Sequence, residues 1–235
     1  RPDWWHNNQL EPESGYSTDL ITKHSVDFIR RHRDRPFFLY VPHLAIHFPW
    51  QGPKDPAHRQ VGTDYWTDKW GVIPNRGNVS PHVKAMIESL DCSVGQIVAT
   101  LREHDLERDT LLVFSSDNGG YLSYPGGFEN ISNNGPLRGQ KTQLYEGGHR
   151  VPTIVSWPGK IEPGVTHATG HSTDWFPTFA RLAGAPIQDM QLDGMGLLPL
   201  LFERTPLPAR TLYWRMGGKA VRRGHWKLLV SGKGT

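Results

Sequence analysis

The sequence predicts an α/β fold with a mostly parallel central sheet, flanking helices and a small antiparallel C-terminal subdomain. Two mainly apolar runs, residues 37–41 and 110–115, have strand length and do not alternate, as is typical of strands buried on both faces of a parallel sheet. A long amphipathic pattern between them supplies the crossover helix that parallel strands require. Beyond residue 204 a hairpin pattern replaces the alternation, which predicts domains at 1–204 and 205–235.

Composition excludes several classes of protein. The chain has 235 residues, 37% of them hydrophobic, and fits one large or two small domains of roughly 100–200 residues each. The net charge of +3 is scattered, which argues against a nucleic-acid partner. No apolar stretch reaches the ~18–20 residues of a membrane helix, so no membrane partner is predicted. The single cysteine, Cys92, excludes an intrachain disulfide and a cysteine-rich zinc site.

The remaining elements follow in chain order. Apolar residues on one face predict a helix over 18–33, before the first strand. Residues 42–80 are rich in proline and predict a loop, and a loop of this length is usually functional. The crossover helix runs from Ser80 to about residue 105. After the second strand we predict a glycine-rich and asparagine-rich loop over 117–150, a strand at 153–157, a helix at 173–183 and a hairpin over 211–230.

Side chains that follow the predicted strands are candidates for chemistry, because ligands bind at the carboxyl ends of strands in open α/β sheets. Asp117 and Asn118 offer hard oxygen ligands suited to Ca²⁺ or Mg²⁺, and the glycines after them would let a ligand approach the backbone. An ordinary Asx turn is the competing interpretation, and spacing alone favours it. His43 and His47 follow the first strand, although a histidine in a loop is more often structural than catalytic.

A third set lies in the segments 134–141 and 145–152. Arg138 and Lys141 are two cations in a loop with glycines, and such a pair can hold a tetrahedral oxyanion. A solvated charged loop is the alternative interpretation. Cys92 lies within a predicted helix and is interpreted as a structural thiol rather than a nucleophile.

Together these segments resemble the formylglycine-dependent sulfatases of the alkaline phosphatase superfamily. The resemblance extends from about residue 20 to residue 230, and its motifs occur in the family's order and spacing. The matching runs are 36–40 with 47–49, 86–91 with 94–95, 112–120, 135–141, 145–152 and 173–178.

The resemblance implies an alkaline-phosphatase-like fold and hydrolysis of a sulfate ester, with a carbohydrate as the expected substrate. It implies that Asp117 and Asn118 bind a divalent cation, usually Ca²⁺ and alternatively Mg²⁺. It also implies that His47 and Lys141 contact the sulfate, and His47 could protonate the leaving oxygen as a general acid. The candidates for the substrate-binding rim are Arg138, Trp50, Gln51 and His43.

The departures from the family are also informative. Family members carry a C/S-x-P-x-R motif that is oxidised to the formylglycine nucleophile, and residues 92–96 do not match it. We therefore expect this chain to be a later portion of a sulfatase that is inactive alone and depends on a missing N-terminal part. A periplasmic, extracellular or lysosomal location is expected from the family. Two alternatives stay open: a phosphodiesterase or phosphonate monoester hydrolase of the same superfamily, and a non-catalytic sulfated-glycan binding module.

Overall fold

A computed structural model describes residues 4–56, 75 and 77–231 of the chain. The chain divides into two compact units, each described separately below. The first comprises residues 1–107, 117–141 and 145–151, and the second comprises residues 108–116, 142–144 and 152–235. The predicted boundary at residue 205 stays a prediction.

The helices are α1 (Ser17–His32), α2 (Ser80–Glu103), α3 (Glu146–His149), α4 (Trp175–Leu182) and α5 (Leu198–Glu203). The strands are β1 (Trp5–His6), β2 (Gln9–Leu10), β3 (Leu112–Ser115), β4 (Ser123–Tyr124), β5 (Phe128–Glu129), β6 (Thr153–Ser156), β7 (Thr211–Arg215), β8 (Gly218–Arg223) and β9 (Trp226–Ser231). Across the ranges that the structure describes, no helix combines the length and the apolar character needed to cross a membrane.

Helices α1 and α2 build one half of the first unit, and both were predicted from their apolar periodicity. Ile29 of α1 packs with Ile97 and Leu101 of α2 in a buried cluster. The segment 37–41 lies against this cluster in an alternating manner, with one set of side chains packed inward while Phe38 and Tyr40 are 68% and 75% exposed. Only one of its faces is therefore covered.

The predicted parallel sheet is not clearly shown within the ranges that the structure describes. Residues 37–41 form no strand, because no neighbouring strand within the described ranges hydrogen-bonds to them. Strand β3 pairs instead with β6, and the pair is antiparallel, with Leu112 opposite Ser156. The strands at 110–115 and 153–157 are thus confirmed in position, whereas residues 4–56, 75 and 77–231 contain no unit of two parallel strands joined by a crossover helix.

A second apolar cluster in the first unit surrounds Trp50. Phe48 and Trp50 pack against Val83 and Met86 of α2, and Phe128 of β5 closes the cluster from the other side. Part of the predicted loop 117–150 is therefore ordered as the small β4–β5 hairpin. This cluster fixes the chain immediately after His47 on the long helix.

The second unit contains the predicted helix α4 and a three-stranded antiparallel sheet in the order β7-β8-β9. The predicted antiparallel C-terminal structure is confirmed, with one strand more than a hairpin. Gly217 and Gly224 both have positive φ, at 59° and 57°, and each lies at one of the two turns. Glycine tolerates this conformation without the cost that a Cβ would add.

Asp174 forms the most extensive polar contact of the second unit. Its fully buried carboxylate accepts two hydrogen bonds from Arg210, at 2.7 and 2.6 Å. It also accepts hydrogen bonds from the backbone N–H groups of His171 and Met195, at 2.7 and 3.0 Å. Burial by itself raises the pKa of Asp174, but the hydrogen bonds from Arg210 and from the two backbone groups lower it below its ordinary value.

Candidate active site

Three segments that the sequence singled out, 117–120, 138–141 and 145–148, are neighbours in the first unit. The Gly119 N–H donates to the carbonyl of Gly148 at 3.1 Å, and the Gly147 N–H donates to the carbonyl of Arg138 at 2.7 Å. The Lys141 N–H donates to the carbonyl of Gly120 at 3.3 Å. The backbone that carries Asp117 and Asn118 is therefore joined directly to the backbone that carries Lys141.

Glycines make these close backbone contacts possible. A Cβ at Gly119 would overlap the carbonyl oxygen of Gly147. A Cβ at Gly147 would in turn overlap the carbonyl oxygens of Gly139 and Arg138. The glycine after Asn118 was expected to leave room for a ligand, but the carbonyl of Gly147 occupies the space beside Gly119.

Asn134 reinforces the same junction through its side-chain amide. Its Oδ1 accepts a hydrogen bond from the Gly120 N–H at 3.0 Å. Its Nδ2 donates to the carbonyls of Gly120 and Gly139, at 2.8 and 3.1 Å. Gln140 acts similarly, since its Oε1 accepts from the N–H groups of Leu122 and Ser123 at 2.7 and 3.0 Å.

Sequence reasoning assigned no role to Asn134 or Gln140. Both lie in segments that were quoted as motifs, and that is the only signal the sequence carries. An amide side chain does not indicate which backbone groups it will meet, so their contacts could not be foreseen.

His47 lies on the exposed side of the Trp50 cluster. Its Nδ1 is 2.7 Å from the carbonyl oxygen of Phe48. Because a carbonyl oxygen can only accept, Nδ1 donates a hydrogen to it, and Nε2 is the ring nitrogen that is not used in this bond. Phe48 is 9% exposed, so the backbone that orients the imidazole is anchored in the core.

A series of aromatic rings connects the neighbourhoods of His47 and Lys141. Phe48 stacks on Tyr124 with ring centroids 5.4 Å apart, and Tyr124 meets Tyr121 edge-on at 4.8 Å. The Nζ atom of Lys141 lies 5.6 Å from the centroid of the Tyr121 ring, within the range of a cation–π interaction. Burial, with a smaller contribution from Tyr124, raises the pKa of Tyr121, which keeps its hydroxyl neutral.

Asp117 and Asn118 present two oxygen donors that suit a hard cation, on an exposed and a half-buried residue respectively. A Ca²⁺ or Mg²⁺ site takes about six or more oxygen ligands. Within the described ranges no group of three His, Cys, Asp or Glu side chains is placed to hold a metal ion. The donor chemistry fits the cation, but this pair supplies only part of a coordination shell.

The structure places the four candidates for the substrate rim in different settings. Arg138 is exposed, with its guanidinium carbon 4.0 Å from the centroid of the Tyr145 ring. Trp50 is only 2% exposed and belongs to the core, so its ring is not available to line a pocket. Gln51 donates from Nε2 to the carbonyl of Pro56 at 3.0 Å.

His43, the fourth candidate, is tied to the long helix. Its Nε2 lies 3.1 Å from the hydroxyl of Ser93 on α2. Its buried Nδ1 has no hydrogen-bond partner among the residues that the structure describes. Burial lowers the pKa of His43, because an imidazolium is poorly solvated there.

Two clefts lie away from these residues. One of about 410 Å³ is lined by α4 and the segment 184–194, and one of about 350 Å³ by residues 166–169, 200–212 and the sheet. Both are in the second unit, and neither includes a predicted site residue. The candidate site is therefore defined by its side chains and backbone contacts, and neither cleft is part of it.

Comparison with known proteins finds a family model and curated relatives that are all described as sulfatases. A family model described as "Sulfatase" matches residues 1–185. Arylsulfatase A of Homo sapiens is 35% identical over 204 residues, covering 83% of this chain and 36% of the relative. N-acetylgalactosamine-6-O-sulfatase of Bacteroides thetaiotaomicron is 32% identical over 213 residues, covering 80% and 38%. The chain thus spans little more than a third of the length of these relatives.

A solved structure agrees with these relatives. The crystal structure of Ps i-CgsB in complex with k-i-k-neocarrahexaose superposes with a TM-score of 0.78 at 30% identity. The match covers 98% of this chain and 49% of that one.

Proposed function

Because this chain belongs to the sulfatase family, we propose that the protein hydrolyses a sulfate ester of a carbohydrate and that residues of the first unit act at the sulfate. Its structural neighbours have the alkaline-phosphatase-like α/β fold. The observation that carries the proposal is the junction of the Asp117-Asn118 segment with the Lys141 segment. A carbohydrate substrate is supported by the N-acetylgalactosamine-6-O-sulfatase relative and by the neighbour that binds k-i-k-neocarrahexaose.

Lys141 is proposed to hold the sulfate oxygens. Its ammonium group is a compact positive charge, and it lies over the Tyr121 ring on a half-buried side chain. A preorganised charge in such a position stabilises the negative charge that develops on the oxygens as the ester is cleaved. Its backbone bond to Gly120 limits how far the side chain's base can move.

His47 is proposed to act as the general acid. In the imidazolium form both ring nitrogens carry a hydrogen, and the Nδ1–H is committed to the Phe48 carbonyl. The Nε2–H is then transferred to the ester oxygen as the sulfuryl group passes from that oxygen to the attacking nucleophile, which leaves a neutral imidazole and an alcohol product. The Phe48 carbonyl keeps Nε2, rather than Nδ1, available for this transfer.

Asp117 and Asn118 are proposed to supply two oxygen ligands to Ca²⁺ or Mg²⁺. When bound, the cation would offset charge on the sulfate oxygens. No residue of this chain is assigned as the nucleophile, because the C/S-x-P-x-R motif does not occur in its 235 residues. A formylglycine nucleophile rests on the family alone.

Because no residue of this chain is assigned as the nucleophile, the role of Lys141 is tested in a protein that carries both this chain and the family's C/S-x-P-x-R motif, with an aryl sulfate and the matching aryl phosphate as substrates. Lys141→Ala should lower kcat/KM by about 10²–10³-fold, the usual effect of removing one preorganised contact to developing charge. Lys160→Ala is the matched control, since Lys160 also lies over a ring, that of Trp157 at 5.9 Å, and should leave turnover unchanged. Normal kinetics of Lys141→Ala, or a preference for phosphate, would contradict the proposal, and glycan binding without any turnover would favour a binding module.

The metal assignment has a separate readout. Asp117→Ala should lower the Ca²⁺ or Mg²⁺ content of the purified protein together with its activity, because a charged ligand is lost. Asp189→Ala, at another exposed aspartate, serves as the control. Unchanged metal content in Asp117→Ala would rule out this residue as a ligand.

A further inference from the structure

Asn134 makes hydrogen bonds next to the residues to which the proposed function assigns roles. We propose that Asn134 is a positioning residue that sets the location of Lys141 relative to the Asp117-Asn118 segment. This inference rests on the function proposed for Lys141. It is carried by three hydrogen bonds from one amide to Gly120 and Gly139.

The two glycines that Asn134 contacts are close in sequence to the proposed site residues. Gly120 lies two positions after Asn118, and Gly139 lies two positions before Lys141. One side chain therefore spans the two backbones from which these groups extend. A shift of ~1 Å in a group that contacts the reacting atoms can lower activity by about 10²-fold.

The chemistry of the amide suits this task. Gly120 presents both its N–H and its carbonyl to Asn134, and an amide side chain offers an acceptor and two donors. The carbonyl of Gly120 also accepts from the backbone N–H of Lys141. Asn134 and the backbone N–H of Lys141 thus share one acceptor atom, which couples the amide to the backbone from which the Lys141 side chain extends.

The adjacent residue provides a natural comparison. Asn133 has the same side chain, but in the part of the chain that the structure describes its Oδ1 accepts only a local hydrogen bond from the Gly135 N–H, at 2.7 Å, within its own turn. Of the two asparagines, it is Asn134 whose amide joins two segments of the proposed site.

In the same protein that carries the C/S-x-P-x-R motif, we would measure kcat, KM and thermal unfolding for Asn134→Ala, Asn134→Asp and the control Asn133→Ala. Asn134→Ala should lower kcat by about 10–100-fold, the range seen when groups that orient catalytic residues are removed, with Asn133→Ala near wild type. Asn134→Asp should fall at least as far, because its carboxylate would face two carbonyl oxygens that now accept hydrogen bonds. Wild-type kcat in Asn134→Ala would overturn the proposal.

A double-mutant cycle distinguishes positioning from general stabilisation. If Asn134 acts through Lys141, adding Asn134→Ala to Lys141→Ala should change kcat/KM by less than about twofold, whereas independent effects would multiply. Multiplying effects would overturn the inference and leave the proposed function intact. Unchanged turnover in Lys141→Ala alone would instead refute the proposed function. If Asn134→Ala is unstable, Asn134→Ser, which keeps one hydrogen-bond donor, takes its place. If neither variant folds, Asn134 is needed for the stability of the fold, and its positioning role is overturned.

Discussion

Replacing Asp174 by alanine should lower the free energy of unfolding by about 3–5 kcal/mol, the cost of removing one partner from a buried ion pair. The structure supports a value in this range, because the carboxylate is 0% exposed and the side chain of Arg210 is only 13% exposed. Without Asp174, the guanidinium loses two short hydrogen bonds, while its Nε has no partner within the described ranges even in the intact pair. Two backbone N–H groups lose their acceptor as well.

This loss should be visible as a fall in Tm. For a chain of 235 residues, 1 kcal/mol corresponds to about 2–4 °C, so the expected decrease is roughly 6–20 °C. Calorimetry of the purified Asp174→Ala variant measures it, with Asp189→Ala as an exposed control. Asp174→Ala combined with Arg210→Met should recover part of the loss, because no unpaired charge remains buried. A Tm within about 2 °C of wild type for Asp174→Ala would refute the reasoning.

The same pair predicts a pH dependence. Since the hydrogen bonds hold the pKa of Asp174 below the ordinary carboxyl value of 3.8, the unfolded chain binds this proton at a higher pH than the folded chain does. The stability that the pair contributes is therefore fully present above that ordinary value and is lost as the pH falls through the lower folded pKa. The difference in Tm between wild type and Asp174→Asn should narrow as the pH is lowered through this window.

Three further predictions concern the first unit. Gly147→Ala should destabilise the protein by about 1–3 kcal/mol because its Cβ would meet two backbone carbonyls. Gly95→Ala is the control, because Gly95 lies in open space on α2, and it should be neutral or stabilising by up to about 1 kcal/mol. The Tm of each variant measures these changes. Because burial lowers the pKa of His43 below 6.5, wild type should lose stability as the pH falls from above that value, and His43→Gln should remove this part of the pH dependence. Tyr121→Leu should lower kcat/KM by about two- to fivefold through loss of the ring beneath Lys141, with Tyr121→Phe near wild type.

A specific result would contradict each of these three predictions. Equal Tm values for the two glycine variants would show that the close contact at Gly147 relaxes without cost. Parallel pH profiles for wild type and His43→Gln would exclude a contribution from that imidazole. A phenylalanine variant as impaired as the leucine variant would assign the effect to the Tyr121 hydroxyl rather than to its ring.

Elements whose signal is local could be predicted from the sequence. The apolar periodicity of α1 and α2 and the hairpin pattern over 211–230 are local features of each element, and the predicted helices and antiparallel strands are found. The pairing of residues 37–41 is a non-local property, so a run of apolar side chains could not show whether a strand would lie beside it. Trp50 illustrates the same limit, because an aromatic residue near His47 suits a pocket and a core equally well, and only packing distinguishes them.

The candidate site, like the fold, could be predicted only in part from the sequence. Residue types and order indicated His47, Lys141, Asp117 and Asn118, and their roles stay predictions. One of the contacts between the segments of Asn118 and Lys141 is made by Asn134, whose partner Gly120 lies 14 positions away. Such a contact follows from the folded path of the chain and not from any spacing that the sequence displays.

The bond between Asn134 and Gly120 also closes the base of the excursion that the chain makes between these two residues. The excursion's tip, at Pro125, Gly126 and Gly127, is exposed, and lengthening a closed loop costs little, since each doubling adds only about 0.6 kcal/mol of closure entropy. Insertions at this tip should therefore be tolerated while the base keeps its geometry. Grafts of a few residues at positions 125–127 should leave the hydrogen bonds of Asn134 intact, and the Tm of the grafted protein measures whether they do.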